Sequence, residues 1–317
     1  MMLQQVQHQK EGTRFLQRFV EGGLTSPVLL LGNDGVGRRF SVLCAIREAF
    51  CVGTRKPDCE CPSCYQILRK VHTDVFVHEA GEKDIGIEEV RTIIAEARNY
   101  PTAASIRCFV IDGADRFTVA AANAFLKTLE EPPARARFFL LAESPEHVLP
   151  TIRSRCGGIR YTTLPEEFVL SELHRYEPDA AKALVYARMG EGSVGTAIRY
   201  WGSGRVALRD QVLRVLQLAL GRDLPSLFAL VDTMDQDLVL ALKFLGQILH
   251  DVLIVRVDPM RVINVDRVEG INAMGSKATV QVWSKLAQKV RALQAQYRTT
   301  RLHLPFHFKT IIIESFI

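Results

Sequence analysis

Four short apolar runs, each separated from the next by a stretch with helical spacing, limit this chain more than any other feature. The runs are residues 28–31, 75–78, 108–111 and 138–141. A continuous apolar run of this length, bounded by turn residues, reads as a strand covered on both faces. Between them, residues 38–50 place Val42, Ala45, Ile46 and Ala49 on one helical face, and residues 87–99 do the same with Val90, Ile93, Ile94 and Ala97. A third helix is predicted over 118–131, with Thr118 as N-cap and Pro132-Pro133 as the stop. Strands alternating with helices at this spacing mean a parallel sheet covered by helices.

Beyond Tyr161 the strand signals fade. Residues 166–175 and 179–189 read as helices, Gly190, Gly192 and Gly195 punctuate the chain, and Trp201-Gly202-Ser203-Gly204 reads as a linker. The remainder is helical. One stripe holds Leu208, Val212, Val215 and Leu216, and another holds Val282, Leu286, Val290, Leu293 and Tyr297. Both read as core and subunit interface. With 317 residues the chain has room for two domains, or three small ones. The pattern divides it at 1–162, 163–203 and 204–317.

Composition excludes several classes. Apolar residues make up 48% and charged residues 24%, so the chain can build a core and is not a disordered one. The net charge of +5 is too small to argue for nucleic-acid binding by itself. No apolar run approaches the roughly 20 residues that span a bilayer. The polar, Gln-containing start does not read as a signal peptide, so a cytoplasmic location with reduced cysteines is the expectation. The eight histidines are scattered, with no metal or triad spacing among them.

A glycine loop follows the first strand: Gly32, Gly35 and Gly37 stand in the frame of a phosphate-binding loop between a strand and a helix. Such a loop continues with Lys and then Ser or Thr. Here Arg38 and Arg39 hold those positions. Arg38 retains the charge to meet a phosphate, but Arg39 is a fixed cation without an acceptor and cannot hold Mg²⁺. The third strand ends at Asp112, where such sites bind the metal, yet the next residue is Gly113 rather than a carboxylate that orients water. The pattern is that of a nucleotide site that has lost its chemistry. A glycine turn without a ligand, and a capping role for Asp112, are the competing readings.

Four of the seven cysteines, Cys51, Cys59, Cys61 and Cys64, fall within 14 residues. In a reducing compartment such a cluster reads as a structural zinc site, with metal-free thiols as the alternative. The Cys59-Glu60-Cys61 spacing is tight for two ligands of one ion. Finally, the loop with Arg153 and Arg155 is either a solvated basic patch or an arginine finger that acts on a phosphate bound by a neighbour.

Residues 123–133, Asn-Ala-Phe-Leu-Lys-Thr-Leu-Glu-Glu-Pro-Pro, followed by Thr151-Ile152-Arg153-Ser154-Arg155-Cys156, resemble the bacterial DNA polymerase III clamp-loader branch of the AAA+ ATPases. The four-cysteine insertion is similar too, and the resemblance runs from about residue 25 to 165. It implies an α/β AAA+ module with a small helical lid and an all-helical C-terminal domain that oligomerises. Within that branch the gamma/tau members keep intact Lys-Thr and Asp-Glu pairs. The delta-prime members commonly lack them and keep Ser-Arg-Cys, the pattern seen here. The resemblance therefore implies a non-catalytic subunit of a hetero-oligomer with gamma/tau and delta type partners. That subunit donates Arg155 in trans and helps load a sliding clamp onto primed DNA. ATP binding by the chain itself is not expected. Ala142, where the family has a polar sensor, and Arg199, too late in the lid for the second sensor, agree with this. An active gamma/tau-type ATPase and a zinc-dependent nucleic-acid-binding protein are the alternatives. Arg39 and Gly113 weigh against the first, and the lack of a basic stretch with interleaved aromatics weighs against the second.

Overall fold

The computed structural model describes residues 2–54, 57–80, 84–234, 237–299 and 303–316. All four apolar runs are strands: β1 (Val28–Leu31), β2 (Val75–Glu79), β3 (Arg107–Asp112) and β4 (Ala136–Ala142). A fifth strand, β5 (Gly157–Arg160), lies on the sheet edge beside β1. It is short and starts with two glycines, so it carries no apolar signal. All pairings are parallel, in the order β2-β3-β4-β1-β5.

The helices of this part are α1 (Lys10–Val20), α2 (Arg38–Phe50), α3 (Pro62–Leu68), α4 (Ile87–Arg98), α5 (Val119–Glu130) and α6 (Pro150–Arg153). Period-two alternation sends β1, β3 and β4 side chains to two cores. Val28, Leu30, Cys108, Val110, Phe139 and Leu141 pack with Leu16 and Phe19 of α1 and Val42 and Ile46 of α2. Leu29, Phe109, Ile111, Phe138 and Leu140 pack with Val90 and Ile93 of α4 and Phe125 and Leu129 of α5. Because both faces are covered, the strands read as continuous apolar runs. The Thr118 side chain caps α5 by accepting from the Ala121 N–H at 3.2 Å.

The second part is helical: α7 (Glu166–Leu173), α8 (Ala180–Met189), α9 (Val194–Gly202), α10 (Val206–Leu220), α11 (Leu224–Asp232), α12 (Leu238–Ile254), α13 (Val268–Gly275), α14 (Val280–Thr299) and α15 (Leu304–Phe316). The chain forms two compact units, Met1–Pro165 with Gly192–Gly195, and Glu166–Glu191 with Thr196–Ile317. Two details differ from the expectation. Trp201 and Gly202 are the end of α9, not a linker, because the apolar positions Ala197 and Tyr200 bury that helix. On α14, Trp283 is buried, whereas Val282 is only half-buried and Tyr297 is exposed. Its core stripe is Trp283, Leu286, Val290 and Leu293, packed in one cluster with Phe244 and Ile248 of α12 and Phe308 and Ile312 of α15. No helix among the described residues is long and apolar enough to cross a membrane.

Candidate functional site

Parallel pairing brings the carboxyl ends of β1, β2, β3 and β4 to one edge, where ligands of open α/β sheets sit. The glycine loop leaves β1 there. Gly32, Gly35 and Gly37 have φ of +151°, +75° and +101°, conformations that suit glycine. A Cβ on Gly32 would stand 2.6 Å from the Tyr161 carbonyl oxygen, so the loop turns where nothing larger fits. Residues 193–195 brace it. The Gly195 N–H donates to the Gly35 carbonyl at 3.0 Å, and the Ser193 hydroxyl donates to the Asp34 carbonyl at 2.7 Å. Arg38, first residue of α2, is buried, and its Nη1 has no hydrogen-bond partner among the described residues.

The next residue decides the character of the edge. Glu79 and Asp112 are register partners at the ends of β2 and β3. Arg39 lies between them, with Nη1 2.6 Å from Glu79 Oε1 and 3.7 Å from Asp112 Oδ2. Lys70 Nζ is 3.8 Å from Glu79. Burial pushes the Asp112 carboxyl above its usual range, and the Arg38 and Arg39 guanidiniums oppose that shift only in part. Gly113 follows with φ +103°, and a Cβ there would stand 2.5 Å from Ala80 Cβ. The position after Asp112 therefore has no room for the carboxylate that would orient water. A Mg²⁺-nucleotide does not fit these residues. The position of the loop hydroxyl carries a cation, and that cation is already paired with Asp112. Ala142, at the end of β4, is buried and offers no side-chain hydrogen bond. Arg199 donates to Thr196 Oγ1 at 3.0 Å on its own helix, α9.

The arginine loop lies past β4. Ile152 is fully buried and anchors the short α6, which leaves Arg153 exposed and Arg155 half-buried. Arg155 is held in a fork. Its Nε donates to Glu130 Oε1 at 2.6 Å, Nη2 donates to the same oxygen, and Nη1 donates to the Thr151 carbonyl at 2.8 Å and to Ser154 Oγ at 3.2 Å. Glu130 closes α5, the helix of the Leu-Glu-Glu-Pro-Pro run, so that run and Ser154-Arg155-Cys156 meet in space. Arg153 donates from Nη1 to the Pro145 carbonyl at 3.1 Å. Burial pushes the Cys156 thiol up to about 12, so it is not a nucleophile.

The cysteines converge as well. The four Sγ atoms of Cys51, Cys59, Cys61 and Cys64 lie within 4.8 Å of one another. Cys51 is 3.6 Å from Cys59 and 4.0 Å from Cys61. A tetrahedral zinc with four sulfurs at about 2.3 Å needs sulfur separations of roughly 3.8 Å, so the donor set fits that ion. The tight Cys59-Glu60-Cys61 spacing does not keep either thiol out of the cluster. Hydrogen bonds from the Cys61 and Thr54 backbone pull the Cys59 thiol down to about 6, the thiolate character a metal ligand needs. Two supports were not legible in the sequence. Buried Arg47 donates to the Pro57 carbonyl at 2.9 Å and to the Cys59 carbonyl at 2.6 Å, fixing the knuckle. Gly53 leaves room for Cys59 Sγ, which a Cβ would meet at 2.8 Å. Sequence reasoning also missed Glu79, whose only signal was an acidic residue just past an apolar run. Cys44 and Cys108 are core thiols, raised by burial and outside the four-cysteine cluster.

The model of the family described as "DNA polymerase III, delta subunit" matches residues 8–165. DNA polymerase III subunit delta' of Escherichia coli (strain K12) is 31% identical over 159 residues, 49% of this chain and 48% of that protein. DNA polymerase III subunit tau of Bacillus subtilis (strain 168) is 27% identical over 149 residues, 46% of this chain and 26% of that protein. A DNA polymerase III gamma subunit-related protein of Thermotoga maritima has a solved structure with a TM-score of 0.47 and 19% identity. The match covers 95% of this chain and 97% of that one. The chain spans about half the length of the curated delta' relatives it matches.

Proposed function

Because the chain belongs to the DNA polymerase III delta' family of clamp-loader subunits, we propose that it is the non-catalytic member of a clamp loader. It assembles with gamma/tau and delta type subunits, presents Arg155 to a nucleotide held by a neighbour, and helps place the sliding clamp on primed DNA. The observation that carries this reading is a contrast between the two ends of one parallel sheet. Its own site is closed by Arg39 and Gly113, whereas Arg155 is kept in a solvent-accessible fork at the end of α5. A finger needs no working site in its own chain. It stays charged and donates several hydrogen bonds in a rigid fork, which suits the charge that develops on a transferring phosphoryl group.

In the free chain Glu130 takes the place of that phosphate. On assembly the neighbour's γ-phosphate replaces the Glu130 carboxylate, and one charge-assisted contact exchanges for another. Zinc at Cys51, Cys59, Cys61 and Cys64 is a structural part of the same proposal, and the ion orders the insertion without entering the chemistry. So are a lid over residues 163–203, a collar over 204–317 and a cytoplasmic location.

The test is assembly and turnover. The purified chain is expected to hydrolyse no ATP and to co-purify with gamma/tau and delta type subunits. ATP turnover by the isolated chain that disappears on Arg38→Ala would overturn the non-catalytic reading, and failure to enter the complex would overturn the assignment to a clamp loader.

A further inference from the structure

We infer that Arg39 is a built-in replacement for the divalent cation of a nucleotide site: its guanidinium bridges the carboxylates of Glu79 and Asp112 and bars Mg²⁺ from the edge of the sheet. This deepens the non-catalytic reading above and rests on it.

The site is defined by position. In sites of this architecture the metal lies between the loop hydroxyl and the acid at the end of the strand. Here Arg39 stands at the first position and Asp112 at the second, and the two pair at 3.7 Å. Glu79 adds a second carboxylate in register with Asp112, 2.6 Å from the same Nη1. Without a cation these two acids would repel across adjacent strands, because neighbouring like charges are unfavourable. A guanidinium removes that repulsion permanently, whereas a metal does so only when bound. Among the described residues, the other charges facing the pair are Arg38 and Asp34, which act on Asp112 through space, and Lys70 at 3.8 Å from Glu79. The strand ends are thus held in one arrangement whatever the nucleotide state of the neighbours.

Removing the guanidinium should leave two carboxylates poised for a hard cation, which oxygen ligands prefer. The experiment is a Mn²⁺ titration of the zinc-loaded full chain, read by the loss of the free-ion EPR signal. Wild type and Arg39→Lys are expected to bind Mn²⁺ only weakly. Arg39→Thr is expected to bind one Mn²⁺ at least about tenfold more tightly than wild type, and Asp112→Asn in that background to abolish the gain. Arg39→Gln, which keeps more of the side-chain bulk, is the second variant should the threonine fail to fold. Binding by wild type equal to that of both variants, or a gain that survives Asp112→Asn, would overturn the inference. ATP hydrolysis is scored separately. Turnover by wild type would defeat the non-catalytic reading, whereas absent Mn²⁺ binding by Arg39→Thr and Arg39→Gln would defeat only the replacement of the metal by Arg39.

Discussion

Gly113 is the position where a carboxylate is hardest to accommodate, and the cost of placing a side chain there can be worked out. Its φ of +103° lies in the left-handed region, and a new Cβ would stand 2.5 Å from Ala80 Cβ. The backbone cannot swing away freely. The Gly113 N–H donates to the Leu141 carbonyl at 3.0 Å, and its carbonyl accepts from the Arg116 N–H at 2.9 Å. Placing a side-chain-bearing residue in left-handed backbone costs roughly 1–2 kcal/mol. Forcing a carbon well inside its contact distance adds about 1–3 kcal/mol. Gly113→Ala should therefore lower unfolding stability by about 2–5 kcal/mol, a large share of the total for a domain of this kind. Urea unfolding of the full chain, followed by fluorescence and far-UV circular dichroism, reads the change. Ala80→Gly should relieve the steric part and leave the backbone part, so a double-mutant cycle separates them. That recovery is reduced by the 0.5–1 kcal/mol or so that a new glycine itself costs. Gly113→Glu, the change that would restore the missing carboxylate, should destabilise at least as much and yield no ATPase. A Gly113→Ala protein within about 0.5 kcal/mol of wild type would refute the reasoning. So would a Gly113→Glu protein that is stable and hydrolyses ATP.

The other expectations are briefer. Protein purified without chelator should carry about one zinc per chain, and Cys61→Ser/Cys64→Ser should drop the content to near zero in elemental analysis. Arg155→Ala should leave complex assembly intact and lower turnover at the one site it serves, while Arg153→Ala should have a smaller effect. GTPase fingers are worth about 10³–10⁵ in rate, which bounds the loss from above. An Arg155→Ala complex that assembles, turns over ATP and loads clamp at the unmutated rate would remove the finger. Asp74 is wholly buried, and burial alone would raise its carboxyl. The Thr102, Ala103 and Ala104 N–H groups, at 2.8, 2.6 and 2.8 Å, override that and hold it below 3.8. Its contribution is thus present above pH 3.8 and lost as pH falls through the depressed folded value. Asp74→Asn should cost about 2–4 kcal/mol in urea melts at pH 7, with the gap to wild type narrowing below pH 3.8.

The chain alone determined what depends on local chemistry. Continuous apolar runs produced four strands, and in β1, β3 and β4 a sheet covered on both faces buries all but one side chain of each, whereas the edge strand β2 is half-buried. The glycine frame, Thr118 and Pro132-Pro133 marked a loop, a cap and a stop because each acts on its own backbone. The departure of Arg39 and Gly113 from the pattern of a Mg²⁺-nucleotide site was legible for the same reason, since a guanidinium accepts nothing and glycine carries no acid. Tertiary structure decided what depends on distance. Only the register of β2 against β3 brings Glu79 beside Asp112 and turns Arg39 from a missing ligand into a bridging cation. Only packing brings Ala80 against Gly113, Glu130 under Arg155, and Arg47 beneath the cysteine knuckle. The strand β5 shows the limit most plainly. Gly157 and Gly158 have no side-chain pattern to read, and they are in a strand because their backbone groups pair with β1, a partner more than 120 residues earlier in the chain.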